Sequence, residues 1–143
     1  MKVLLAIDGS AASDHAIDEV RSRPWPRPST VRVLSVVQPY TPPATEVVLA
    51  SATLDDIRAR QVEEAERFTK SAGERIAAPE LTVETAVREG DPRTEIVDAA
   101  DEWRADLIVV GSHGRTGLKR LVLGSVSQSV VEHAHCSVEV VRH

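Results

Sequence analysis

Short apolar segments alternate with longer amphipathic segments along this chain. Five segments are short and rich in valine, leucine and isoleucine, as the strands of a sheet usually are; they are residues 2–7, 31–37, 81–87, 107–110 and 138–141. Helical spacing or capping signals between them predict four helices, at residues 11–21, 54–76, 92–104 and 125–133. This alternation predicts an α/β fold, with an open parallel five-stranded sheet and helices on both faces, similar to a Rossmann fold.

Two proline-rich segments, residues 23–29 and 38–53, are predicted loops. The second is long for a compact domain, so we expect it to cover a site or to move. The chain has 143 residues, of which 42% are hydrophobic and 27% charged, and this composition predicts a single globular domain over residues 1–143.

Charge and cysteine usage narrow the class of protein. Seventeen basic against 22 acidic side chains give a net charge of -5, which argues against general binding to nucleic acid or to an anionic membrane. No apolar run approaches the roughly 20 residues that span a bilayer, and the first residues enter a strand rather than a signal peptide. Since the single Cys136 cannot form an internal disulfide, which fits a reducing compartment, we expect a cytoplasmic protein.

Glycines cluster after the fourth predicted strand. This strand runs directly into Gly111 and Gly114, and the last predicted helix opens at Gly124 and Ser125. In a sheet of order 3-2-1-4-5, the end of strand 1 at Asp8 and the end of strand 4 at Gly111 would meet in one crevice. Ligands of open parallel sheets bind in such a crevice.

The residue types in this crevice suit an anion. Glycine lets backbone N–H groups approach phosphate oxygens, and the first turn of the last helix favours negative charge. Ser125 and Ser127 add hydroxyls, while positive charge comes from Arg115, Lys119 and Arg120. In the alternative interpretation, the glycines form only a tight turn and the basic side chains are solvated.

Asp8 is open to two interpretations. A carboxylate at this place suits a ribose hydroxyl or a divalent metal better than a phosphate. It can equally cap the helix that starts near Ala11, or bond to the turn through Ser10.

The glycine spacing differs from the common phosphate motifs. Neither the Walker loop nor the G-x-G-x-x-G pattern occurs; instead Gly111, two residues, Gly114, nine residues, Gly124 and Ser125 follow one another. This spacing resembles the ATP-binding signature of the universal stress protein family. The resemblance extends over nearly the whole chain, through residues 3–20, 87–100, 105–134 and 136–141.

The resemblance implies an ATP-binding regulatory or sensing module in the stress response. Residues around the phosphates and ribose would be Gly111, Ser112, His113, Gly114, Gly124, Ser125 and Val126. Asp8 would lie near the ribose or a Mg²⁺ ion, and Ala6 and Val36, or its neighbour Val37, near adenine. The family usually dimerises through the last strand, which as a sheet edge leaves backbone groups unpaired. Ser137 and Glu139 depart from the family pattern, and both bear on this edge.

Two other functions remain as alternatives. A slow ATP hydrolase would have only Asp8 and His113 as candidate groups, so we expect a binder with at most weak hydrolysis. A nucleotide-free dimer would act by protein interaction alone. His133, His135 and Cys136 form an H-x-H-C run, which we interpret as packing and a helix-terminal histidine rather than a metal site.

Overall fold

The five predicted strands form one parallel sheet in the computed structural model, which describes residues 1–41, 43, 51–113 and 122–142. The elements in chain order are β1 Lys2–Ile7, α1 Ala11–Ser22, β2 Ser29–Val37, α2 Ser51–Ile76, β3 Leu81–Glu89, α3 Pro92–Trp103, β4 Leu107–Gly111, α4 Ser125–His133 and β5 Ser137–Val141. The order across the sheet is β3-β2-β1-β4-β5, and all four neighbouring pairs are parallel. The predicted fold class and strand order are confirmed.

The observed bounds of the strands and helices lie close to the predicted ones, and the largest difference is a longer α2. α2 begins at Ser51, inside the segment predicted as a loop. The sequence pattern missed this first part of the helix because residues 51–53 include no large apolar residue type that would mark a helical face. Pro42 and residues 44–50 lie outside the described residues. That the segment covers a site therefore stays a prediction.

Helices α1 and α2 cover one face of the sheet, and α3 and α4 cover the other. Side chains of β1 alternate between the faces, so that Val3, Leu5 and Ile7 pack under α1 and α2, whereas Leu4 and Ala6 pack under α3 and α4. Val3, Leu4 and Leu5 are fully buried, and burial of each such side chain contributes about 1.5–3 kcal/mol. The central strand is thus held firmly from both sides.

Helix starts differ in how their free N–H groups are satisfied. The Ser10 hydroxyl accepts a bond from the amide of Ser13 at the start of α1, and the Asp91 carboxylate accepts one from the amide of Arg93 at the start of α3. α4 begins after Gly124, where no side chain of the described residues caps the helix. Its first-turn N–H groups lack the side-chain acceptor that α1 and α3 have.

Candidate functional site

The ends of β1 and β4 lie side by side at the carboxyl edge of the sheet. Ala6 pairs with Val110, so Asp8 and Gly111 follow neighbouring positions of two adjacent strands. The strand order changes direction between β1 and β4, because β2 and β3 lie on one side and β5 on the other. This is the place where open parallel sheets bind ligands.

Ser112 joins the end of β4 to the start of α4. Its carbonyl oxygen accepts a hydrogen bond from the amide of Gly124 at 2.8 Å and another from the hydroxyl of Ser127 at 3.0 Å. The amide of Ser112 donates to the carbonyl of Val141 in β5 at 2.9 Å. Two parts of the predicted site that are twelve residues apart in the chain are therefore directly bonded.

His113 extends from this junction. Its Nδ1 lies 3.0 Å from the hydroxyl oxygen of Ser112. Its Nε2 is buried and has no hydrogen-bond partner within the residues that the structure describes. A buried ring nitrogen without a partner loses hydration without compensation, so a ligand that supplied the partner would be favoured there.

The serines at the start of α4 have different surroundings. Ser125 is exposed, whereas Ser127 is only 3% exposed. The Ser127 hydroxyl is engaged with the carbonyls of Ser112 and Gly124, at 3.0 Å and 2.9 Å. Of the two serines, only Ser125 is thus exposed at the helix start.

Small apolar side chains line the same end of the sheet. Ala6 belongs to the core cluster under α3 and α4, and the half-buried Val36 and Val126 pack against that cluster. Because side chains alternate along β2, Val37 points to the opposite face from Val36. Of the two candidates in β2, Val36 is therefore the one that shares a face with Ala6.

Gly111 has a packing role of its own. A Cβ atom at this position would lie 2.7 Å from the carbonyl carbon and the carbonyl oxygen of Ala12. The missing side chain thus allows the first turn of α1 to approach the end of β4.

Asp8 is part of the turn between β1 and α1. Its Oδ1 accepts bonds from the amide of Ser10 at 3.0 Å and from the hydroxyl of Ser13 at 2.7 Å. The same Ser13 hydroxyl accepts a bond from the amide of Asp8 at 2.9 Å. The turn interpretation of Asp8 is therefore observed. Sequence reasoning missed Ser13, although a serine on the apolar face of α1, beside Ala12 and Ala16, was a possible signal.

Several predicted residues lie outside the described part of the chain. These are the candidate site residues Gly114 and Arg115 and the basic residues Lys119 and Arg120. Their assignment to a phosphate site stays a prediction.

The residues of the H-x-H-C run have separate surroundings. Nδ1 of His133 lies 2.8 Å from the carbonyl oxygen of Ser129, and Nδ1 of His135 lies 2.8 Å from a carboxylate oxygen of Asp101. Burial, and then the negative charge of Asp101, raise the pKa of the Cys136 thiol. No group of three or more His, Cys, Asp or Glu side chains suited to a metal occurs among the described residues.

A cavity of about 440 Å³ lies elsewhere, between α2 and the end of β3. Its lining residues are Asp55, Arg58, Ala59, Val62, Glu63, Glu66 and Glu89. Four carboxylates against one guanidinium make this cavity unfavourable for an anion. It therefore does not compete with the carboxyl edge of the sheet as a phosphate site.

Within the described residues, no helix combines the length and the apolar character needed to cross a membrane.

The chain matches the model of the Universal stress protein family over residues 1–142. It is 34% identical over 145 residues to Universal stress protein YxiE of Bacillus subtilis, an alignment that covers 99% of this chain and 98% of that protein.

Solved structures share the fold. Protein MJ0577 of Methanocaldococcus jannaschii superposes with a TM-score of 0.85 at 25% identity, over 99% of this chain and 95% of that one. A universal stress protein in complex with cAMP superposes with a TM-score of 0.60 at 24% identity, over 99% of this chain and 96% of that one. These likenesses support the fold assignment independently of the sequence motifs.

Proposed function

Because this chain belongs to the universal stress protein family, we propose that it binds an adenine nucleotide between the ends of β1 and β4 and acts as a regulatory module in the stress response. The resemblance of the glycine spacing to the ATP-binding signature of the family favours ATP as the ligand. One observation carries the proposal: the uncapped first turn of α4 is joined through Ser112 to His113, whose Nε2 lacks a partner among the described residues.

The phosphates would lie against the first turn of α4. The amides of Ser125 and Val126 point out of the helix start, where the helix dipole adds a partial positive charge. With Gly124 as the cap residue, no side chain among the described residues caps these donors in competition with a phosphate. The exposed Ser125 hydroxyl supplies a further donor.

His113 would donate to a phosphate oxygen. We assign a proton to Nε2, because the Ser112 hydroxyl then has an acceptor in Nδ1. Nε2 is thereby a buried donor, and a phosphate oxygen is a suitable acceptor for it. A charged ligand beside this atom would remove the cost of leaving it unpaired.

The adenosine part would contact the apolar wall of Ala6, Val36 and Val126. These side chains are small or branched and belong to one packed cluster, so they would offer apolar contacts beside the phosphate site. The cAMP complex of a protein with this fold supports the choice of an adenine nucleotide.

A Mg²⁺ ion would depend on the nucleotide. Mg²⁺ in nucleotide sites is usually held by one or two carboxylates together with phosphate oxygens and water. Asp8 is the candidate carboxylate, although its Oδ1 already accepts two bonds. A metal here would neutralise phosphate charge, and we expect it to bind with ATP and not before it.

The regulatory role would use the last strand. Ser112 bonds both to Gly124 in the site and to Val141 at the end of β5, so that nucleotide binding can change the edge strand through one residue. We propose that β5, the last strand in the described sheet, pairs with β5 of a second copy. The charge of Glu139 fits this pairing, because Arg23 binds both of its carboxylate oxygens at 2.7 Å.

Isothermal titration of nucleotide-free protein with ATP and Mg²⁺ tests the proposal. Ser125→Glu adds a negative charge at the exposed first turn of α4, where it favours the helix but repels phosphate, so the Kd should rise at least about tenfold. Ser129→Glu, one turn later in the same helix, is the matched control and should bind like wild type. The proposal fails if wild type takes up no ATP, AMP or cAMP at millimolar concentration, or if Ser125→Glu binds equally well.

A further inference from the structure

We infer that Ser127 is a positioning residue, which holds the two halves of the nucleotide site together without contacting the nucleotide. The inference rests on the proposed function and changes the role that sequence analysis gave to the Ser127 hydroxyl. The two halves are the strand-end segment, Ser112 and His113, and the helix-start segment, Gly124 to Ser127.

The hydroxyl of Ser127 bridges these segments. Its single proton is shared between the carbonyl of Ser112 at 3.0 Å and the carbonyl of Gly124 at 2.9 Å. The Ser112 carbonyl also receives the amide of Gly124 at 2.8 Å. Both donors that the described residues supply to the Ser112 carbonyl thus come from the helix-start segment, and together they can use both lone pairs of this oxygen.

Burial separates Ser127 from its neighbour Ser125. Ser127 is 3% exposed and its hydroxyl is directed at protein carbonyls, whereas Ser125 is exposed. The one proton of the Ser127 hydroxyl is already directed at two protein carbonyls, so donation to a phosphate would have to break these bonds. The two serines, which the sequence pattern treats alike, therefore have different roles.

The position of His113 depends on this bridge. Ser112 is bonded to Ser127 and Gly124 through its carbonyl, to Val141 through its amide, and to Nδ1 of His113 through its hydroxyl. Loss of the Ser127 hydroxyl would let the strand-end segment move relative to α4. The donor on His113 and the amides of α4 would then no longer be held at a fixed separation, which lowers affinity through lost preorganisation.

Two measurements on Ser127→Ala test this inference. The first is hydrogen exchange of the Gly124 amide by NMR in nucleotide-free protein, which we expect to become faster. The second is the Kd for ATP by isothermal titration, which we expect to rise about fivefold, as for loss of one buried hydrogen bond. Ser127→Thr keeps the hydroxyl and should behave like wild type in both measurements. Ser129→Ala, on the same helix, should change neither.

The combined outcomes of the two measurements decide whether Ser127 positions the nucleotide site. Faster exchange together with weaker binding supports the inference. Weaker binding with unchanged exchange would mean that Ser127 contacts the nucleotide, and unchanged binding would mean that the bridge does not position the site; either result overturns it. If wild type binds no nucleotide, the proposed function fails, whereas the exchange arm still reports whether Ser127 joins the two segments.

Discussion

Gly111 lies so close to the backbone of Ala12 that a Cβ atom there would be 2.7 Å from the Ala12 carbonyl carbon and oxygen. Backbone atoms cannot rotate away as a flexible side chain can. The glycine therefore sets how closely α1 approaches the end of β4. This contact lies beside the turn that contains Asp8. Gly111 therefore belongs both to the packing of α1 against β4 and to the candidate site.

We predict that Gly111→Ala destabilises the protein by about 1–3 kcal/mol, as overpacking of a tight contact usually does. Urea denaturation measures the change. Gly73→Ala is the matched control: its nearest contact would be Val83 Cγ1 at 3.3 Å, and alanine gains about 1 kcal/mol in helix propensity. Equal destabilisation by both substitutions would contradict the role given to Ala12.

Cys136 should react slowly with alkylating reagents. Burial and the charge of Asp101 raise the pKa of its thiol, so less thiolate is present at pH 8 than for a free cysteine. We expect iodoacetamide to react several-fold more slowly than with a short cysteine peptide, and Asp101→Asn to accelerate the reaction. Asp98→Asn, in the same helix, serves as control. A rate that did not respond to Asp101→Asn would show that its charge has no influence.

We expect Asp91 to make the stability of the folded protein decrease as the pH falls in the acid range. The side-chain hydrogen bond from Arg93, and then the bond from its amide, lower the pKa of this carboxyl below the ordinary value of 3.8. A carboxyl with a lowered folded-state pKa stabilises the fold above its unfolded pKa, and this contribution is lost as pH falls through the folded pKa. Asp91→Asn keeps an oxygen for the helix cap but has no charge to lose.

The melting temperature of Asp91→Asn should therefore fall less than that of wild type between pH 5.5 and roughly pH 3. Asp98→Asn, on the outer face of the same helix, should follow the wild-type pH profile. If Asp91→Asn also followed it, the pairing with Arg93 would not contribute to acid sensitivity.

The proposed dimer can be tested through the backbone of β5. Since the amide of Ser112 donates to the carbonyl of Val141, the backbone groups of Val141 face β4. Those of Val140 then face the free edge, because successive residues alternate. Val140→Pro removes an outward donor only, so we expect a folded monomer by light scattering, whereas Val140→Ala should remain a dimer. A monomeric wild type would refute pairing through this strand.

Patterns along the chain predicted the strands and most helix bounds, because apolar periodicity reports burial directly. The strand order was an assumption that fitted the fold of the family which the sequence resembles. The family resemblance brought Ser112, His113 and Gly124 into one hypothesis. Contacts between distant residues were not predictable in this way. The sequence alone did not separate the exposed Ser125 from the buried Ser127, and it left Val36 and Val37 open until the strand register placed Val36 on the face of Ala6.

An NMR titration of ¹⁵N-labelled, nucleotide-free protein with ATP and Mg²⁺ tests the central claim most directly. We predict saturable shifts that are largest at His113 and at the amides of Ser125 and Val126, while amides around the acidic cavity near Arg58 stay unchanged. Absence of shifts at millimolar ATP, or shifts centred on that cavity, would contradict a nucleotide site at the start of α4.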